Sequence, residues 1–193
     1  MNIIVDECAI DVVPESWKSE KSVITYQNKY KRLPLRNGSY HQHLLKKLDL
    51  SERYDRPDIL HFGLLTILGY TRIIGEFGVF FNCPKGTYKV DAKTRLPRDQ
   101  QRFYGLIEGI FQGSSNDFIQ PSSIHVQEND TLIFSTQGEP IDKLEIKHYD
   151  NFVFGGFAHG SLVDKYPNFT KVSLSEQPLE LWTALSIFLN YIK

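Results

Sequence analysis

The chain has 193 residues, of which 41% are hydrophobic and 23% charged, and its formal net charge is −1. This composition is ordinary for one globular domain, and it excludes low-complexity and collagen-like chains. The charge is unevenly divided, because residues 1–102 hold 17 Lys and Arg against 12 Asp and Glu, whereas residues 103–193 hold 5 against 11. A polyanion is therefore expected to bind the first half.

The sequence shows no sign of export, membrane insertion or metal binding. Cys8 and Cys83 are too few for a disulfide framework, and no CxxC motif predicts zinc. Residues 1–6 lack the basic region and apolar run of a signal peptide, and no apolar run reaches the ~18 residues of a membrane helix. His41 and His43 could chelate a metal, but no carboxylate or cysteine cluster accompanies them. A cytoplasmic protein without a metal site is predicted.

The first predicted elements are short. Residues 3–5 and 23–25 are predicted as strands, and residues 9–17 between them as a weak helix broken at Pro14. Residues 29–38 are predicted as a basic loop.

Two helices are predicted next. Ser39 is positioned to cap the first, whose apolar residues are Leu44, Leu45 and Leu48. Pro57 opens the second, which is predicted to end at Gly69.

A β-hairpin is predicted directly before an arginine-rich stretch. Residues 79–82 and 87–91 are strand-like, and they flank a turn over residues 83–86. That turn has Pro and Gly where a type I turn prefers them.

The arginine segment, residues 94–103, is predicted to enter a helix. Pro97 suits the first turn, and Gly113 suits the position just after the last turn. The residues at helical spacing form an apolar stripe: Phe103, Leu106, Ile107, Ile110 and Phe111.

The arginines of this segment are candidates for binding phosphate. Arg98 and Arg102 are four residues apart and would share a face of the helix, with Arg95 just ahead of it. The start of a helix attracts anions, and three guanidiniums there would bind phosphates strongly. The alternative is a solvated face on which Asp99 pairs with Arg102.

The second half of the chain has a different pattern of apolar and polar residues. Residues 113–126 are predicted as a surface loop. Three short apolar strands follow at residues 131–136, 152–154 and 169–174, and each ends in a loop rich in Gly, Pro and small polar residues. A last helix, residues 181–192, is apolar almost all round, which is typical of a central helix or a subunit interface. Strands separated by helical patterns predict an α/β fold with a largely parallel sheet.

The strand-end loops are the candidate ligand site, because ligands bind outside the carboxyl ends of strands in open α/β sheets. The loop at residues 155–160 is the best candidate, although it matches neither a P-loop nor GxGxxG, and a tight connection is the alternative. His159 could be an acid or base, or simply a surface residue. Asp58, beside Arg56 at a helix start, is expected to be paired or to cap the helix. The serines and cysteines have no base arranged around them for covalent catalysis.

Three motifs together resemble the signatures of one family. They are RYDRPDILH at residues 53–61, TRLPRDQQRF at 94–103 and FGGFAHG at 154–160. They look like those of the SPOUT-class methyltransferases that act on N1 of pseudouridine in small-subunit rRNA and also serve ribosome assembly. Residues 172–184 and 2–14 fit the same group, and the short N-terminus resembles its archaeal branch.

The resemblance implies one domain over residues 1–193 with a SPOUT (α/β knot) fold. A C-terminal trefoil knot is expected, which the rule against threaded loops would otherwise exclude. A family-specific β-hairpin extension is expected at about residues 72–93, and a homodimer is expected to form through the last helix. S-adenosylmethionine is expected to bind in a bent conformation among three knot loops. The implied cofactor-binding residues are Thr136, Gly138, Gly155, Gly156, Gly160, Val172, Ser173, Leu174 and Leu179.

The resemblance also implies residues that act on RNA. Its arginine positions correspond to Arg56, Arg95, Arg98 and Arg102, which are expected to bind rRNA. Asp58 is the candidate catalytic residue, either helping to remove the N1 proton or holding Arg56.

Two alternatives stay open for the function. The chain could be an rRNA-binding assembly factor that works with other such factors, with methyl transfer secondary or absent. It could also be a SPOUT methyltransferase for another RNA position, such as a ribose 2′-OH, although the Asn-Gly-Arg-type motif of such enzymes is missing.

Overall fold

The computed structural model describes residues 1–48 and 55–193, so Arg53 and Tyr54 of the first motif lie outside the described residues. The described part forms a seven-stranded sheet with the strand order β4-β3-β2-β1-β6-β5-β7. The strands are β1 (Asn2–Asp6), β2 (Gly78–Cys83), β3 (Gly86–Val90), β4 (Ile119–Pro121), β5 (Thr131–Pro140), β6 (Asn151–Gly155) and β7 (Thr170–Ser173).

The sheet is mostly parallel, which confirms the predicted α/β class. Strand β1 lies between β2 and β6 and runs parallel to both, while β5 runs parallel to β6 and β7. Strands β3 and β4 add an antiparallel edge beside β2. The hairpin predicted from residues 79–91 is confirmed as β2 and β3, and β2 belongs to the main sheet through its pairing with β1.

Five helices pack around this sheet in the described residues. They are α1 (Lys21–Tyr30), α2 (Gly38–Leu48), α3 (Pro57–Ile74), α4 (Gln100–Phe111) and α5 (Leu181–Tyr191), and short 3-10 turns occur at Glu15–Trp17, Ile141–Lys143 and Ile146–His148. Helix α2 is kinked at His41. No helix of the described residues is long and apolar enough to cross a membrane.

The alternation of side chains along β1 divides the interior into two cores. Ile3 and Val5 enter the main core with the apolar faces of α3, α4 and α5, whereas Ile4 enters a smaller core on the other face. This follows from the two-residue period of a strand. The smaller core is closed by Leu162 and Tyr166 from the chain after β6. That segment therefore covers the face of the sheet opposite the main core.

Two predictions for the N-terminal region are wrong. Residues 23–25 lie within α1, because Val23 packs with Trp17 and two leucines of α2 in a small core that outweighs β-propensity. Residues 9–17 contain only the 3-10 turn Glu15–Trp17, since Val12 forms a β-bridge with Leu35 instead.

The boundaries of the next two helices also differ from the prediction. Asn37 caps α2, because its side chain accepts the backbone N–H of Ser39, so Ser39 is not the cap. The basic loop shortens to residues 31–37. Helix α3 continues past Gly69 to Ile74, since Tyr70 and Ile74 pack against the main core.

The helix predicted from Pro97 begins later. Asp99 is the N-cap of α4, and its carboxylate accepts the backbone N–H of Arg102 at 2.9 Å. Pro97 and Arg98 therefore precede the helix, and the prediction that Arg98 and Arg102 share a helical face is wrong. At the other end, Gly113 lies just beyond the C-cap with φ of +92°, as predicted. The predicted loop at residues 113–126 contains β4, which pairs with β3.

Candidate active site

A cavity of about 300 Å³ opens where the carboxyl ends of β5, β6 and β7 meet the start of α5. We call it the strand-end cavity. Its base is aromatic, since the rings of Phe134 and Phe154 stack with centroids 4.0 Å apart. Six of the nine residues predicted to bind a cofactor line it: Thr136, Gly155, Gly160, Val172, Leu174 and Leu179. The position of this cavity agrees with the rule for open α/β sheets.

The other three predicted residues support the walls and do not line the cavity. Gly138 lies within β5 beside its pairing with β7, and a Cβ there would collide with the backbone of Val172. Gly156 lies against Cys8, whose Sγ would be 2.8 Å from such a Cβ. The Oγ of Ser173 donates to the carbonyl of Ser175 at 2.7 Å and so fixes the turn after β7.

A buried carboxylate anchors the wall that follows β6. Asp6 is fully buried at the end of β1, and it accepts hydrogen bonds from Tyr166 at 2.7 Å, Asn82 at 2.9 Å and Lys165. Burial alone would raise the pKa of Asp6, but these bonds and the charge of Lys165 leave it below the ordinary value. The network holds the segment that includes Leu162, which lines the cavity. Asp6 was not among the predicted site residues, although a polar residue directly after a predicted buried strand was the available signal.

The second group of predicted residues lies at the start of α3. Arg56 and Asp58 form a two-pronged ion pair, with Nε–Oδ1 at 2.9 Å and Nη2–Oδ2 at 2.8 Å. The hydrogen bonds to Asp58 raise the pKa of Arg56, and the charge of Glu180 adds to this shift. Asp58 therefore pairs with Arg56, and no side-chain hydrogen bond caps α3.

A buried histidine brings the arginine segment to this helix. The Nε2 of His61 donates to the carbonyl of Pro97 at 2.7 Å, and its ring stacks on Phe103 with centroids 4.4 Å apart. Residues on either side of Pro97 are consequently held beside the first turns of α3. His61 is fully buried, and its Nδ1 has no hydrogen-bond partner among the described residues.

The three arginines of the segment are exposed and available. Arg95, Arg98 and Arg102 form no ion pair with an acidic residue in the described part of the chain. Asp99, the nearest acid in sequence, binds the backbone N–H of Arg102 as a helix cap. The ion pair between Asp99 and Arg102 that the solvated-face alternative predicted is therefore not formed.

Contacts between α3 and α5 connect the start of α3, where Arg56 lies, to the strand-end cavity. A Cβ on Gly63 of α3 would lie 2.6 Å from Leu181, which lines the cavity. Phe62 meets Trp182 edge to face at 5.3 Å. Together with the electrostatic contact between Arg56 and Glu180, these contacts place the start of α3 beside the start of α5.

The buried His61 makes stability depend on pH. Burial lowers the pKa of His61 below its ordinary value of 6.5, although the hydrogen bond to Pro97 opposes this shift. The unfolded chain therefore takes up a proton first as the pH falls below 6.5, and the free energy of unfolding should decrease by up to about 1.4 kcal/mol per pH unit. Urea denaturation at pH 7 and pH 5.5 measures this decrease. The variant His61→Gln keeps a donor for Pro97, so it should show a smaller decrease, and an equal decrease would contradict the prediction.

One protein-family model matches almost the whole chain. The model of the EMG1/NEP1 methyltransferase family matches residues 3–192. The chain belongs to this family. The resemblance predicted from the three motifs is therefore confirmed, and the chain is a methyltransferase by membership.

Individual EMG1/NEP1 relatives match over almost their full lengths. The ribosomal RNA small subunit methyltransferase Nep1 of Thermococcus kodakarensis is 29% identical, with 99% of this chain and 97% of that protein covered. The Nep1 of Saccharolobus solfataricus is 30% identical, with 93% and 90% covered. The crystal structure of Archaeoglobus fulgidus Nep1 bound to S-adenosylhomocysteine matches with a TM-score of 0.84 at 24% identity, covering 98% of this chain and 95% of that one. The fold is thus that of Nep1.

Proposed function

We propose that this chain methylates N1 of a pseudouridine in small-subunit rRNA, with S-adenosylmethionine as methyl donor. Membership of the EMG1/NEP1 methyltransferase family supports methyl transfer, and the relatives named as rRNA small subunit methyltransferases support the substrate. The observation that carries the proposal is a strand-end cavity whose helix α5 packs on α3, the helix that begins at Arg56, in a chain of this family. Ribosomal RNA as substrate also favours a cytoplasmic place of action and contact with other ribosome-assembly factors.

The residues of the strand-end cavity fit S-adenosylmethionine. Archaeoglobus fulgidus Nep1 binds S-adenosylhomocysteine, the product left when this cofactor has given up its methyl group. Gly155 and Gly160 expose backbone groups for the polar edges of an adenine, while Leu174 and Leu179 offer apolar walls. When bound there, the cofactor supplies an electrophilic methyl group on a sulfonium.

The chain's own residues would bring the acceptor to that methyl group. Before N1 of pseudouridine could accept the methyl group, its N1–H would have to lose its proton. Arg56, Arg95, Arg98 and Arg102 would hold phosphates so that the target base can leave its stack and enter the site. Much of the rate would come from the alignment of nitrogen and methyl carbon.

We assign Asp58 the role of holding Arg56 in place. Both carboxylate oxygens are engaged by the guanidinium, at 2.9 and 2.8 Å, so neither is free to accept the N1 proton without breaking that ion pair. The group that accepts the proton stays open, and proton removal by Asp58 is the alternative.

The proposed fold includes the trefoil knot and the homodimer. Membership of the EMG1/NEP1 family supports the knot, and the irregular pairing of β5 with β7, at Phe134 and again at Glu139, lies where the first knot loop is expected. Exposed apolar residues on α5 (Ile187 and Tyr191) and on α3 (Phe62 and Ile73) support a dimer through the last helix. One domain over residues 1–193 completes the proposal. The expected hairpin extension at about residues 72–93 is corrected, because residues 72–74 belong to α3 and β2 pairs with β1 in the main sheet, so that β3 and β4 form the antiparallel edge.

The decisive experiment compares two RNA hairpins from small-subunit rRNA that differ only in pseudouridine against uridine at the target. With S-adenosylmethionine present, mass spectrometry should detect one added methyl group on the pseudouridine hairpin and none on the uridine hairpin. Methylation of both would favour another RNA position. Binding of both without methylation, together with no cofactor binding in calorimetry, would favour the assembly-factor alternative.

A double-mutant cycle tests the role of Asp58. If Asp58 holds Arg56, Asp58→Asn should weaken binding of the hairpin several-fold in the wild-type background and have little effect in the Arg56→Ala background, because residues acting through one contact are not additive. Filter binding measures the four affinities. A carboxylate that removes the proton would instead leave RNA affinity unchanged in Asp58→Asn and lower only the methylation rate.

A further inference from the structure

A second cavity, of about 230 Å³, lies between α1, α2 and α4 and shares no residue with the strand-end cavity. We call it the tyrosine cavity, because its lining includes Tyr26, Tyr30, Tyr40 and Tyr104, together with His41 and Gln101. Cavities that bind drug-sized molecules begin at about 300 Å³. The tyrosine cavity is therefore of a size for one planar ring system.

The aromatic rings at its mouth are solvent-accessible, and two cationic side chains lie against the ring of Tyr30. Tyr40 is 60% exposed and Tyr30 39% exposed. The Nζ of Lys29 lies 4.8 Å from the centre of the Tyr30 ring, and the guanidinium of Arg32 lies 5.6 Å from it. Exposed aromatic faces beside cations are what single-stranded nucleic acids bind, since any base can stack on them.

The floor of the tyrosine cavity is fixed, and its one carboxylate is neutralised. Glu108 accepts hydrogen bonds from the hydroxyl of Tyr26 at 2.9 Å, the Nε of Arg32 at 2.6 Å and the backbone N–H of Leu35 at 3.0 Å. Its side chain is only 2% exposed. Because Arg32 is paired with Glu108, a bound RNA would meet the rings and the charge of Lys29, and the buried carboxylate would not repel it.

The tyrosine cavity continues into a polar cleft that contains Arg56 and Asp58. The cleft has a volume of about 580 Å³ and shares Tyr40, Gln101 and Tyr104 with the tyrosine cavity. Gln101 is the immediate neighbour of Arg102, and its Nε2 donates to the hydroxyl of Tyr40 at 3.2 Å. A strand whose phosphates are held by the arginines thus passes the mouth of the tyrosine cavity.

We propose that the tyrosine cavity takes one unpaired base of the same RNA strand whose target nucleotide is methylated, and so contributes to sequence recognition. This inference rests on the proposed function. Sequence-specific RNA recognition mostly uses splayed bases that stack on aromatic rings and are read along their edges. Here Tyr30 and Tyr40 supply the stacking surface, and the amide of Gln101 supplies a donor and an acceptor at the rim.

The test combines two substitutions at the mouth with RNA hairpins that each lack one loop base. Tyr40→Ala and Tyr30→Ala should each weaken binding of the intact hairpin about 5- to 100-fold, the range for loss of one base–aromatic stack. Tyr40→Phe keeps the ring and should bind within about twofold of wild type, for the same reason. The matched control is Phe118→Ala, which removes an aromatic ring of similar exposure (55%) outside this surface. It should leave binding unchanged.

The abasic hairpins decide whether a base occupies the cavity. At one loop position other than the target, removal of the base should weaken binding to the wild-type protein but not to Tyr40→Ala, because both changes remove the same stacking interaction. The inference is overturned if the effects of base removal and of Tyr40→Ala on affinity add fully at every loop position, or if the tyrosine variants bind RNA as wild type does. Either result would also be expected if the cavity bound a protein partner instead. Methylation of the pseudouridine hairpin is measured separately. A wild-type protein that binds the hairpin without methylating it would refute the proposed function, while the same cycle would still decide the base pocket.

Discussion

Replacement of Gly138 by alanine is expected to destabilise the protein by about 3 kcal/mol and to abolish binding of S-adenosylmethionine. The added Cβ would collide with backbone atoms of Lys171 and Val172 on β7, and these cannot move as a flexible side chain can. Gly138 is not among the glycines with positive φ, so the backbone conformation itself suits alanine. The expected effect therefore comes from the close approach of two chain segments beside the strand-end cavity.

The matched control is Gly69→Ala in α3. Gly69 is exposed, and no atom of the described residues lies within 4 Å of the Cβ that alanine would add. Alanine is favoured over glycine in a helix by about 1 kcal/mol, so this variant should be slightly more stable than wild type. Urea denaturation and calorimetry with the cofactor measure both variants. Wild-type stability and cofactor affinity in Gly138→Ala would show that β5 and β7 do not approach each other as closely as described.

Replacement of Arg95, Arg98 and Arg102 together by alanine is expected to weaken RNA binding about a hundredfold or more, because each charged hydrogen bond contributes about 1.5–3 kcal/mol. The slope of log affinity against log salt should also become shallower by about one for each phosphate that the variant no longer neutralises. Cofactor affinity should stay at the wild-type value, since none of the three arginines lines the strand-end cavity. Filter binding over a salt series and calorimetry measure the two properties.

Arg72→Ala provides the control for loss of positive charge. Arg72 is exposed in the last turn of α3, sixteen residues after Arg56, which corresponds to about 24 Å along the helix. This variant should bind RNA as wild type does. An unchanged salt slope in the triple variant would return the arginines to an ordinary solvated surface, and cofactor loss would indicate a folding defect.

Local patterns in the sequence predicted six of the seven strands in the described residues, including the hairpin, and α5, because each depends on neighbouring residues and a strong apolar pattern, whereas β4 was predicted as a loop. The start of α4 was misplaced, since Pro97 and Asp99 both suit a helix start, and the carboxylate of Asp99 caps the helix while the carbonyl of Pro97 bonds to His61. Residues 23–25 were predicted as a strand because their β-branched side chains favour one. These residues are helical instead, because Val23 packs against α2.

The parts of the candidate site that lie in local motifs could be predicted from the sequence. The parts that depend on contacts between distant residues could not. The strand-end loops carried glycines and small polar residues, and six of their predicted members line the cavity. The tyrosine cavity draws on residues from three helices, and no short pattern joins Tyr26, Tyr40 and Tyr104. Likewise, the hydrogen bond between Tyr166 and Asp6 joins residues 160 positions apart. Such contacts exist only once the fold has brought the elements together.

The central position of β1 has a consequence for how the protein is made. The ribosome synthesises β1 first, yet its neighbour β6 begins at residue 151, and the carboxylate of Asp6 is bonded by Lys165 and Tyr166. Until those residues emerge from the exit tunnel, the nascent chain holds a strand with one open edge and an acid without its cation, and both are costly to bury. We therefore expect the sheet to close only after residues 151–166 have emerged, as one cooperative event.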